Sequence, residues 1–254
     1  MNGYIAFFRK ELMEQRRTYK LLIMLAAFIL FGMMSPLLAR LMPDIFASMQ
    51  MEGMSITIPA PTWLDAYTQF FKNTTQMGTV VLLLVFSGGM SQELSKGTLT
   101  GTLAKGLPRI SVILSKYTAS LALWTVSLAL SAAVSYGYTV YLFGGHPAEH
   151  LLFSLLCLWL FGAFLLAVML LTGTLLKGGY SGLLLTAAML GLLLLFTMLP
   201  GSQRWNPVTL ASVNVGLLDG SVSTADIILP FWITLGASAL CLTGAALAFR
   251  KKQL

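Results

Sequence analysis

Residues 151–176 read LLFSLLCLWLFGAFLLAVMLLTGTLL, 26 positions without a single charged side chain. A helix needs about 20 mostly apolar residues to cross a bilayer's hydrocarbon core. The stretch is also far longer than the roughly ten-residue alternating strands of a membrane barrel. Backbone polar groups in lipid must be paired within the segment or within a closed barrel. The stretch therefore reads as a membrane-spanning helix.

Working outward, five further apolar stretches lie near 21–39, 74–92, 117–143, 180–199 and 227–249. The stretch at 74–92 is the shortest in strictly apolar residues and borrows polar neighbours at both ends. Only 10% of the chain is charged and 57% is hydrophobic, against about 25% charged in a soluble domain. The fold class expected is an all-α integral membrane protein with six transmembrane helices, one unit over 1–254. The first 20 residues are polar and no small-x-small site follows the first span, so the N-terminus reads as uncleaved. Cys157 and Cys241 fall deep in spans four and six, where they read as buried thiols.

Basic residues at the span ends set the orientation. With the N-terminus in the cytoplasm, 13 of the 16 basic residues lie inside and Arg40, Lys72 and Arg204 outside. Both termini are then cytoplasmic. Positive charge on that scale orients the chain and meets anionic headgroups; nucleic acid is not an expected partner.

Residues 3–20, GYIAFFRKELMEQRRTYK, place Ile5, Phe8, Leu12 and Tyr19 near one helical face, with Arg9, Lys10, Glu14, Arg16 and Arg17 on the rest. That pattern fits an interfacial amphipathic helix; the plainer alternative is a charged extension that enforces topology. Outside, 41–72 reads as extended chain around ITIPAP, then a short helix TWLDAYTQFFKN started by Thr62. The second external segment, 200–226, holds VTLASVNVGLL, which either re-enters or lies on the surface. Neither segment is large enough for its own core.

HPAEH at 146–150 matches the inverted zinc-protease pattern. Pro147 belongs only in a helix's first turn, and no Glu follows as a third ligand, so a polar turn is the expected reading. No P-loop sequence occurs. No charge lies mid-membrane, which argues against an ion-coupled carrier. Span three carries Ser120, Thr125, Ser127, Ser131, Ser135, Tyr136, Tyr138 and Tyr141, read either as helix–helix glue or as a route for an amphiphile.

The longest cytoplasmic link is SQELSKGTLTGTLAKGLPR, 91–109. Thr98 to Lys105 can form a short helix with Leu99 and Leu103 one turn apart, ended by Gly106 and Pro108. Such a helix can dock in a partner's groove; a merely topogenic turn would need only a few residues. Glu93 is expected to pair with a basic residue of this link or of the interfacial helix, Arg109 or Arg16.

FFRKELMEQRR before span one, SQELSKGTLTGTLAKGLPRISVILSK between spans two and three, and NPVTLAS in the last external segment together resemble the ABC-2-type permeases, membrane subunits of ATP-driven exporters. The likeness covers essentially the whole chain. It carries the family's E-x-x-x-G-T-L element onto Glu93, Gly97, Thr98 and Leu99, and the basic residues that enter span three onto Arg109, after Pro108, and Lys116. The resemblance implies a coupling helix with Glu93, Lys96, Gly97, Thr98, Leu99, Leu103, Lys105 and Arg109 at the ATPase contact, beside an interfacial helix with Phe8, Arg9, Leu12, Arg16 and Arg17. It implies a separate ABC-type ATPase subunit that holds ATP and magnesium, a second permease (identical or homologous), no catalysis or cofactor on this chain, and the cytoplasmic membrane of a bacterium. Alternatives are a scaffold or sensor that recruits a non-ATPase partner, and a zinc membrane hydrolase using HPAEH.

Overall fold

The computed structural model describes residues 3–48, 60–98, 106–145, 149–176, 178 and 180–252. Helices run α1 Gly3–Arg17, α2 Lys20–Ser48, α3 Trp63–Phe86, α4 Gly89–Ser95, α5 Arg109–Phe143, α6 Leu151–Leu175, α7 Ser181–Phe196, α8 Thr209–Ser212, α9 Asn214–Leu218 and α10 Thr224–Lys251, with a 3-10 turn at Ser202–Arg204. Among the described residues there is no strand.

Five helices are long and apolar enough to cross a membrane: α2, α3 continued into α4, α5, α6 and α10. The helix expected as the fifth span, α7, has 16 residues, about 24 Å at 1.5 Å per residue, short of a hydrocarbon core of about 30 Å.

The helices overrun the apolar stretches at most ends. Apolar sequence marks contact with hydrocarbon, whereas intrahelical hydrogen bonding continues into the headgroup layer and water. The largest correction is at span two. TWLDAYTQFFKN is no separate helix; it forms the first half of α3, which begins at Trp63 directly after Thr62. The Asp65 carboxylate accepts from the Thr62 backbone N–H at 2.8 Å, closing the first turn as a capping box does. Likewise α2 passes Pro43 and runs to Ser48. Of the expected external segment 41–72, most of the part between α2 and α3 lies outside the described residues.

At the centre stands α6. In its most apolar window 72% of residues are buried, against 22–39% in the other four long helices. A helix that is hydrophobic on all sides belongs inside the protein. Two glycines permit the closest approaches. A Cβ on Gly162 would lie 2.3 Å from the Trp124 ring; the indole fills that slot, and its Nε1–H donates to the Trp159 carbonyl at 3.0 Å. A Cβ on Gly32 would lie 2.5 Å from the Ser131 carbonyl, at the α2–α5 crossing, where Ser131 Oγ donates to the Phe28 carbonyl at 2.6 Å. Small residues and hydroxyls at helix crossings are how membrane helices associate without a hydrophobic drive between them.

VTLASVNVGLL packs into the bundle. Leu210, Leu217 and Asn214 are buried, and α8 and α9 contact α3, α6 and α10. Irregular backbone at such a place needs protein partners for its polar groups. Ser154 Oγ donates to the Asn214 carbonyl, Thr75 Oγ1 to the Ala211 carbonyl, and Asn206 Nδ2 to the Leu193 carbonyl at the end of α7.

Candidate functional site: a charge network at the helix ends

Helix α1 lies against α5 and the start of α2. Its apolar residues Ile5, Leu12 and Met13 face outward, as does Tyr19 in the turn that follows, the pattern an interfacial helix requires. Phe8 is half-buried, and Arg9, Arg16 and Arg17 are exposed. The inward face is Phe7, Glu11 and Gln15. The helix thus turns a carboxylate toward the bundle, and that is possible only because the bundle answers with charge.

It answers with Lys116, about two turns into α5 and buried. Its Nζ lies 2.9 Å from Glu11 Oε1 and 2.8 Å from Glu93 Oε2. Lys10 closes the other side, with Nζ 3.0 Å from Glu11, 2.7 Å from Glu14 and 2.9 Å from Glu93 Oε1. Glu93 therefore has one oxygen on each lysine, so α1, α4 and α5 meet at a single carboxylate. Both ammonium groups also stand over the Phe7 ring, at 5.0 and 5.8 Å from its centroid, a favourable placement for a cation.

Burial alone would push the Lys10 ammonium toward neutrality. The hydrogen bonds it donates to Glu14 and Glu93 and the nearby charge of Glu11 outweigh it and raise its pKa. Burial would raise Glu14, but the Lys10 partner holds its carboxyl below the usual range. Glu11, Glu14 and Glu93 are also the trio among the described residues whose carboxylate oxygens come within 4.8 Å of one another. Two lysine ammonium groups already occupy the positions a cation would take.

Glu93 does meet a basic residue of the interfacial helix, Lys10, but neither of the two residues expected, Arg16 and Arg109. Arg16 is exposed on α1. Arg109 turns to the end of the chain, donating from Nη1 to the carbonyls of Phe249 at 2.7 Å, Arg250 at 3.0 Å and Lys252 at 2.7 Å. The last carbonyls of a helix have no intrahelical partner, so Arg109 caps α10. Lys252 in turn donates to the Thr174 carbonyl at the end of α6. Arg109 and Lys116 thus lie about two helical turns apart with different duties.

Lys96, Gly97 and Thr98 follow α4; Gly97 has φ 67°, and Thr98 donates to the Glu93 carbonyl at 3.4 Å. Leu99, Leu103 and Lys105 lie outside the described residues, with the coupling helix expected there. Sequence reading missed Lys10 and Lys116 as the partners of Glu93, and Glu11 as the carboxylate that shares them. The signal available was Glu11 on the same helical face as Phe7 and Gln15, a polar stripe beside the apolar one.

At HPAEH, His146, Pro147 and Ala148 lie outside the described residues. His150 is the residue before α6, in the left-handed conformation at φ 61°. It and Glu149 are exposed.

No protein-family profile matches this chain, and no curated protein does.

Proposed function

We propose that this chain is the permease subunit of an ABC-type exporter, moving an amphiphilic drug, peptide or lipid across the cytoplasmic membrane with energy from a separate ATPase subunit. One observation carries the reading. The network of Lys10, Glu11, Glu14, Glu93 and Lys116 ties the interfacial helix to the ends of two long helices, directly before the segment 99–105 that resembles a coupling helix. A push on that segment is delivered to α1, α4 and α5 together, because a buried ion network resists being pulled apart. Six crossings, with α7 as the short fifth, and cytoplasmic termini belong to the same reading.

A second observation supports a paired permease. Asp65, Lys72 and Gln76 form an exposed stripe on α3, joined by the half-buried Gln69 between them. Gln76 lies ten residues before Phe86, about 15 Å along the helix, inside the candidate span Trp63–Ser95. A polar side chain at that depth faces protein or water in most membrane proteins. A second permease, or a wet route between two of them, meets that need.

The test is co-purification. Tagged chain expressed in its own cells is expected to bring down an ABC ATPase, and Leu99→Asp with Leu103→Asp is expected to release it. Retrieval of no ATPase at all, or export unchanged by Glu93→Gln, would overturn the reading; a non-ATPase in its place would favour the scaffold alternative.

A further inference from the structure

Beside the ion network the described residues enclose a recess of about 620 Å³, within the range of small-ligand sites. It opens where the helix breaks between α3 and α4. Its lysines are Lys10, Lys20 and Lys96, and its carboxylates are Glu14 and Glu93. Those acids are already paired to Lys10 and Lys116. Lys20 and Lys96 make no salt bridge among the described residues, at a 4.0 Å limit. With Glu11 and Lys116 behind the wall, four lysines face three carboxylates, so the recess has one positive charge in excess.

The recess has a second character. Leu84 and Val85 line it; Leu84 is 61% exposed, and Tyr180 on the opposite rim is 70% exposed. Lys20 begins the apolar run of α2, so the ammonium groups sit at headgroup depth and the leucine flank continues into the acyl region. Leu184, one turn beyond Tyr180, is 69% exposed and extends that flank.

We infer that this recess binds an anionic phospholipid of the inner leaflet, its phosphate between Lys20 and Lys96 and its chains along Leu84 and Leu184. A free phosphate would satisfy the lysines but leave the apolar flank unused. The site depends on the membrane setting and orientation of the chain and not on its being a permease. Occupied, it would tie the start of α2 to the end of α4, and so load the ion network from the lipid side.

The test uses the purified full-length chain in detergent, titrated with phosphatidylglycerol or phosphatidylcholine and read by native mass spectrometry. Phosphatidylglycerol is expected to bind more tightly, and Lys20→Gln with Lys96→Gln to weaken it about thirtyfold, from about fivefold per lysine near a membrane surface. Arg250→Gln with Lys251→Gln removes as much cytoplasmic charge elsewhere and is expected to change binding by less than about twofold. If the double lysine variant does not assemble, Lys96→Gln alone, at an exposed position, is expected to lose about fivefold. Equal affinity for the two lipids, equal loss in the Arg250/Lys251 variant, no loss in Lys96→Gln, or displacement by millimolar inorganic phosphate each overturns the inference.

Discussion

Glu93 is the residue through which three helices meet, and its consequences are electrostatic. Removing one partner from a buried pair leaves the other charge uncompensated, at a cost of about 3–5 kcal/mol. Lys116→Met, which leaves Glu11 and Glu93 (side chains 9% and 13% exposed) to share Lys10 alone, is expected to lower thermal stability in detergent by up to that order. Glu93→Gln keeps shape and hydrogen-bonding capacity and should cost less; equal losses in a thermal-shift assay would mean the network is not an ionic unit. The pH dependence follows from Glu14 and Lys10. Glu14 is lowered from 4.5, so its contribution is complete above that value and is lost as pH falls through the lowered one. Lys10 is raised from 10.5, so its contribution is complete below that value and is lost as pH rises through the raised one. Docking of α1 is therefore expected to be level between about pH 5 and 10 and to loosen first on the acid side, measured by proteolysis of the first twenty residues. A bell centred on pH 7 would contradict this.

Helix ends and crossings carry the next set of effects. Arg109 caps α10 from the first position of α5, so Arg109→Ala should fray the last turn of α10. Faster amide exchange confined to 249–252 is the expected result, with Arg109→Lys intermediate, because an ammonium lacks the planar fork of a guanidinium. The α2–α5 crossing depends on Gly32. Gly32→Leu must drive the helices apart at a contact between two backbones, and overpacking of this kind costs about 1–3 kcal/mol or more. Loss of detergent-stable protein is expected, whereas Gly191→Leu on α7, where a Cβ meets nothing within 4 Å, should be silent. If both behave alike, the close approach is not a determinant.

For the whole molecule, the question is what covers the α3 stripe. In the paired-permease reading, Gln76→Leu is expected to reduce export at least severalfold while leaving ATPase co-purification intact, since it touches a route or a permease contact and not the coupling segment. Gln76→Leu with full export would place the stripe against lipid. Cross-linking between Gln76→Cys chains, in a background with Cys157 and Cys241 replaced, would report a second copy directly.

Sequence by itself determined what depends on solvent: that the chain lives in a bilayer, where its long helices lie, and which ends carry the basic charge. Transfer from water to hydrocarbon is decided residue by residue, so it can be read without knowing any neighbour. It also marked Glu93 and Arg109 as charges that must be answered. Only the tertiary structure decided the answers. Glu93 meets Lys10 and Lys116 because α1 packs with Glu11 inward, a choice among helix faces made by the groove that α2 and α5 leave. Arg109 goes to α10 because the end of a helix from the far end of the chain presents unpaired carbonyls beside it. The same limit applied to TWLDAYTQFFKN, read as an external helix because polar residues interrupt it. Asn73 is answered there by Ser35, and Thr75 just after it by Ala211; partners distant in sequence are what let a polar stretch be the first half of a membrane helix.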